Sequence, residues 1–117
     1  MQITQNQNAI RIWKNLELNI IYAGHAIVGQ DWKEPKVCSP FSRIYYIVDG
    51  EGILTVNGQR IVLKKGSVWL VPAGMTFGYF CESSMEQLFF HLNVLCSDGT
   101  DLLYGVRQLY ERKEQTG

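Results

Sequence analysis

The stretch Arg43-Ile-Tyr-Tyr-Ile-Val-Asp-Gly-Glu-Gly-Ile-Leu-Thr-Val-Asn-Gly-Gln-Arg-Ile-Val-Leu63 reads as three short strands and two turns. Arg43 to Val48 is β-branched and aromatic, and Asp49-Gly50-Glu51-Gly52 interrupts it. Ile53 to Val56 and Arg60 to Leu63 flank Asn57-Gly58, and both residues of that pair tolerate the positive φ of a type I′ hairpin turn. Working outward, Lys64-Lys65-Gly66 turns the chain again, and Val68 to Val71 ends at Pro72-Ala73-Gly74. Thr76 to Cys81 follows, then a loop at Glu82-Ser83-Ser84, then a long strand from Glu86 to Leu95. Upstream, Leu16, Leu18, Ile20 and Tyr22 alternate as one face of a strand within Asn15 to Tyr22, and Ala9 to Trp13 is one more strand candidate. Turn signals every 8–12 residues or so define an all-β sandwich or barrel.

Only the end of the chain reads differently. Leu102, Leu103, Val106, Leu109 and Tyr110 fall at helical spacing, with Asp98 or Thr100 as N-cap, and predict a short C-terminal helix that Gly105 weakens. The expected organisation is an N-terminal arm and first strand over 1–14, a barrel over 15–97 and a helix over 98–117.

Composition narrows the function. The 117 residues carry 11 basic and 11 acidic side chains, interspersed, for a formal net charge of zero. Direct nucleic-acid binding needs a surplus of Lys and Arg on one face. Met1 to Asn8 has neither a basic start nor an apolar run, and no window approaches the roughly 20 apolar residues of a membrane helix, so a cytoplasmic protein is expected. Cys38, Cys81 and Cys96 are odd in number and widely spaced, which predicts reduced, mostly buried thiols.

The sharpest spacing is Gly66-x5-Pro72-x-Gly74-x2-Phe77. With Gly50-Glu51-Gly52 and Asn57-Gly58 upstream, it resembles the two motifs of the cupin superfamily over about Leu16 to Leu95. That resemblance implies a jelly-roll, double-stranded β-barrel with its site inside. Metal-binding cupins carry two His and a Glu in the first motif and a His in the second. Here those positions fall near Lys36 and Cys38, on or beside Arg43, and on Phe77. Phe cannot ligate a metal and a cationic side chain repels one, so no metal and no cofactor are expected.

Three segments resemble a metal-free subgroup, the sensor domains of AraC-type transcription regulators: Arg43 to Gly52, Leu63 to Pro72, and Met85-Glu-Gln-Leu-Phe-Phe-His-Leu92. The resemblance implies a non-catalytic domain that binds a small effector, a sugar or related metabolite, and dimerises. DNA would be contacted only through a separate helix-turn-helix domain absent from this chain, with Met1 to Asn8 as a candidate arm and the C-terminal helix leading toward the missing part.

Strand alternation and the family positions give the candidate ligand-binding residues. Arg43 and Tyr45 point inward with Ile47, and Phe77 and Tyr79 with Cys81. Gln87, Phe89 and His91 share the inner side of the last strand, Trp32 is a candidate lid, and Lys36 lies near the mouth. Arg43 either binds a ligand carboxylate, phosphate or hydroxyls, or pairs with Glu86, Glu51 or Glu34, or lies on the surface in a slipped register; His25 reads as a loop residue. No catalytic residue is assigned: Gly50-x-Gly52 precedes a strand rather than a helix, no G-x-S-x-G occurs, and no thiol has an evident His partner. The alternatives are a small cupin enzyme of the sugar isomerase or epimerase kind, and a dimerisation module whose barrel Phe77, Tyr79, Phe89 and Phe90 fill.

Overall fold

The structure, a computed structural model, describes residues 16–113. The expected arm and the strand at Ala9 to Trp13 lie outside these residues. Eight strands are described: β1 (Glu17–Val28), β2 (Lys33–Val37), β3 (Ser42–Val56), β4 (Gln59–Lys64), β5 (Ser67–Val71), β6 (Phe77–Phe80), β7 (Met85–Leu95) and β8 (Tyr110–Lys113).

All pairings are antiparallel. One layer runs β1-β7-β3-β5-β8, and the second pairs β2 with β6, β6 with β3 and β3 with β4. Strand β3 belongs to both. Ser42 to Gly50 pairs β7, with Arg43 to Tyr46 also pairing β5, whereas Glu51 to Val56 pairs β4. The two strands expected on either side of Asp49-Gly50-Glu51-Gly52 are thus one long strand. Gly50 makes the passage between layers possible. Its φ is +73°, and a Cβ there would lie 2.3 Å from the Ser84 carbonyl oxygen. Only glycine meets both conditions.

Other turns are as the sequence predicts. Asn57 (φ 51°) and Gly58 (φ 78°) close the β3–β4 hairpin, and β5 ends at Val71 before Pro72. Ser42, fully buried, accepts a hydrogen bond from Ala73 N at 2.9 Å, and Gly74 N donates to Ser39 O at 2.9 Å. These two bonds fix the β5–β6 turn against the start of β3. Between the layers pack Ile47, Leu54, Leu63, Val71, Met75 and Met85, all at 8% exposure or less.

Three expectations fail. No helix forms over the described part of 98–117. Asp98 Oδ1 accepts from Thr100 N (3.0 Å) and Oγ1 (2.6 Å), an Asx turn rather than a helix cap, and Gly99 and Gly105 hold φ of +88° and +89°. Leu102 N then bonds back to Val94 O, and Tyr110 to Lys113 adds to β5 as strand β8. His25 is on β1, opposite Leu88, and not in a loop. The thiols are free, but only Cys81 is buried; Cys38 is exposed.

Candidate functional site

Alternation along β3 and β7 puts one set of side chains between the layers. In register, Arg43 lies opposite His91, Tyr45 opposite Phe89 and Ile47 opposite Gln87. On β1 the neighbours of His91 and Phe89 are Tyr22 and Gly24. Gly24 is needed for space: a Cβ there would sit 2.7 Å from the tip of the Phe89 ring. The Phe89 ring is therefore laid over β1, 5.6 Å from the Tyr22 ring.

The second layer faces this set. Trp32 lies over Tyr79 with ring centroids 4.3 Å apart and meets Tyr45 edge-on at 6.1 Å. Phe77 and Tyr79 are neighbours at 6.2 Å. The structure thus brings Trp32, Arg43, Tyr45, Phe77, Tyr79, Gln87, Phe89 and His91 to the inner faces of the two layers. Lys36 does not join them. It is exposed on β2, and no described contact ties it to this set.

Arg43 is the electrostatic centre. Its guanidinium lies 5.2 Å from the Phe41 ring centre and 5.4 Å from that of Phe77, a cation–π arrangement. Nη2 donates to Ser39 Oγ at 2.9 Å and Nη1 to the Tyr45 hydroxyl at 3.4 Å. Nε is buried with no acceptor. None of the three glutamates considered as partners reaches it: among the described residues Glu86 pairs with His25 at 2.6 Å, and no carboxylate lies within ion-pair distance of Arg43. Further in, Gln87 is 3% exposed and its Oε1 has no donor.

Burial raises the pKa of the Tyr45 phenol, against the opposing pull of Arg43, so the phenol stays protonated. His91 is shifted down, first by burial and then by the nearby Arg43 charge, and is a neutral imidazole at neutral pH. It stacks on Phe41 at 4.6 Å. This set of inner side chains therefore carries a single fixed positive charge.

Phe41, Ser39 and Tyr22 were not among the sequence candidates. Phe41 was within reach of the same rule, since 41, 43, 45 and 47 alternate; it precedes the first residue of β3. Tyr22 was hidden by a register shift between Ile20 and Tyr22.

This donor set does not fit a metal. Phe77 and Arg43 occupy the motif positions of two ligands, and among the described residues no group of three or more His, Cys, Asp and Glu side chains converges. The Arg43 guanidinium repels any cation placed beside it.

Two antiparallel layers sharing one bent strand, with aromatic and polar side chains enclosed between them, define a small jelly-roll barrel. Residues 28–92 match the cupin domain family, and the chain belongs to it. No curated protein matches in sequence. Among solved structures, the chain is similar to the EutQ protein of Clostridium difficile, at 11% identity and a TM-score of 0.54, over 71% of this chain and 69% of that one. A predicted oxalate decarboxylase from Thermotoga maritima is similar at 18% identity and a TM-score of 0.54, over 66% and 79%. Salicylate 1,2-dioxygenase from Pseudoaminobacter salicylatoxidans is similar at 16% and 0.53, over 84% of this chain and 27% of that one. At such identities the likeness shows the fold alone.

Proposed function

We propose that this cupin is a non-catalytic, metal-independent binding domain that takes a small molecule between its two layers. We read it as the effector-sensing and dimerising domain of an AraC-type transcription regulator of the cytoplasm. The effector is then a sugar or a related metabolite, and DNA contact belongs to a separate helix-turn-helix domain. One observation carries the reading. Where a metal-dependent cupin needs donor atoms, this chain has Phe77 under the Arg43 guanidinium, beside polar atoms with unused hydrogen-bonding capacity. Such a set of side chains is suited to hold and orient a ligand, and it supplies no ligands for a Lewis-acid metal. Binding controls a regulator only through different affinity for its two states.

One feature favours a second reading, a small acid–base enzyme: the neutral imidazole of His91 is able to accept a proton. A thermal-shift screen of the chain against sugars, sugar acids and other small metabolites, with and without Zn²⁺, Mn²⁺ and Fe²⁺, separates the two. A Tm rise with one metabolite class and none with metal is expected. A rise with metal alone overturns the metal-independent reading, and turnover of the stabilising metabolite by the wild type but not by His91→Phe overturns the binding-domain reading in favour of the enzyme.

A further inference from the structure

A guanidinium cannot shed its charge, and enclosing it without a counter-ion is costly. Arg43 is half-buried, its two described hydrogen-bond acceptors are neutral hydroxyls, and its buried Nε has none. The rings of Phe41 and Phe77 lie within cation–π distance of its centre, and no described carboxylate meets the edge of the planar group. A flat, two-oxygen anion meets that edge with two parallel hydrogen bonds. Four residues before His91, the cross-strand partner of Arg43, lies Gln87, whose buried Oε1 lacks a donor. Four residues of strand span about 13 Å. The inward side chains between these two handles are Tyr45 and Phe89, and Trp32 lies against Tyr45.

Resting on the binding reading above, we infer that the ligand is a monocarboxylate with a flat apolar or aromatic body: its carboxylate binds Arg43, its body lies along Tyr45 and Phe89, and a hydroxyl or N–H at its far end donates to Gln87 Oε1. The single positive charge among these inner side chains matches a monoanion; a phosphate dianion would be half neutralised. This narrows the ligand from sugars at large to acids.

Calorimetric titration of the whole chain with acids and their matched amides tests the assignment: benzoate and benzamide, 4-hydroxybenzoate and its amide, hexanoate and hexanamide, with inorganic phosphate and L-arabinose alongside. At least one acid should bind about 10-fold or more tightly than its amide, which is about 1.4 kcal/mol. Arg43→Met should bring that pair within about twofold, and Arg43→Lys should fall between, since Lys keeps the charge but not the fork. Because Arg43 has no internal counter-ion, unliganded Arg43→Met should melt no lower than the wild type. Failure of every acid to bind at about 10 mM, phosphate binding more tightly than any acid, or amides binding as well as acids each overturns the carboxylate assignment. Binding of L-arabinose with no acid binding overturns it while leaving the small-molecule reading intact. A fall in Tm of more than about 5 °C in unliganded Arg43→Met makes Arg43 a structural cation and overturns it too.

Discussion

The two faces of the β1-β7-β3-β5 layer differ in what they bury and what they expose. The inner face carries Arg43, Tyr45, Gln87, Phe89 and His91, with two buried polar atoms unpaired. The outer face carries Leu18, Ile20, Ile44, Leu70, Phe90, Leu92 and Val94, which line an apolar groove of about 360 Å³ with Leu103. Leu18 and Ile20 remain 63% and 53% exposed. Enclosed polar groups cost free energy unless hydrogen-bonded. The difference teaches that the unpaired polar atoms of the inner face are not what stabilises the layer, which is packed through Tyr45 and Ile47 together with Leu54, Leu63 and Met85.

The largest expected effect comes at Gly50, where β3 leaves the layer that bears both faces. Gly50→Ala combines a left-handed backbone with an overlap against Ser84 O and should cost about 3 kcal/mol or more in urea unfolding. A cost below about 1 kcal/mol would mean that the bend relaxes and the two layers are not rigidly joined. A smaller effect of opposite sign is expected within the inner face. Gln87→Leu removes a buried, unpaired acceptor and should leave stability unchanged or raise it by about 1 kcal/mol. A loss of about 2 kcal/mol would show that Oε1 is satisfied in solution, and the contrast between the faces would weaken. The smallest effect is expected outside. Ile20→Ser should change stability by no more than about 0.5 kcal/mol. A larger loss, or one that depends on protein concentration, would show that the groove is covered rather than open.

Much of this was readable beforehand, for local reasons. Asn57-Gly58 and Gly66 admit the positive φ that their turns require, and Pro72 fixes its own φ and removes a ladder donor, so the turns they mark hold wherever the fold places them. The cupin and AraC resemblance supplied the inward positions, Gln87 and Phe89 among them, and the period of two carried that face along β3 and β7 to Arg43, Tyr45 and His91. That period failed on β1, where Leu18, Ile20 and Tyr22 read as one face. The irregularity between Ile20 and Tyr22 puts the first two opposite Val94 and Leu92 and swings Tyr22 onto the inner face with His91. Strand β2, Lys33 to Val37, has no apolar alternation and contains Pro35; pairing with β6 makes it a strand. At the C-terminal end, helical spacing lost to two glycines in left-handed conformation and to the open hydrogen-bonding edge of β5. Nothing local announces a bulge or a waiting strand edge, because both depend on a partner distant in sequence.

The last strand has a bearing on how safely the protein can be handled. Without Tyr110 to Lys113, β5 would present a bare ladder carrying Val68, Trp69 and Leu70, a template on which other chains could add and aggregate. Strand β8 satisfies that ladder and replaces the margin with four exposed residues that include Glu111, Arg112 and Lys113. Short, charged margins resist edge-to-edge growth. A truncation before residue 110 is therefore expected to show its damage first as precipitation on storage.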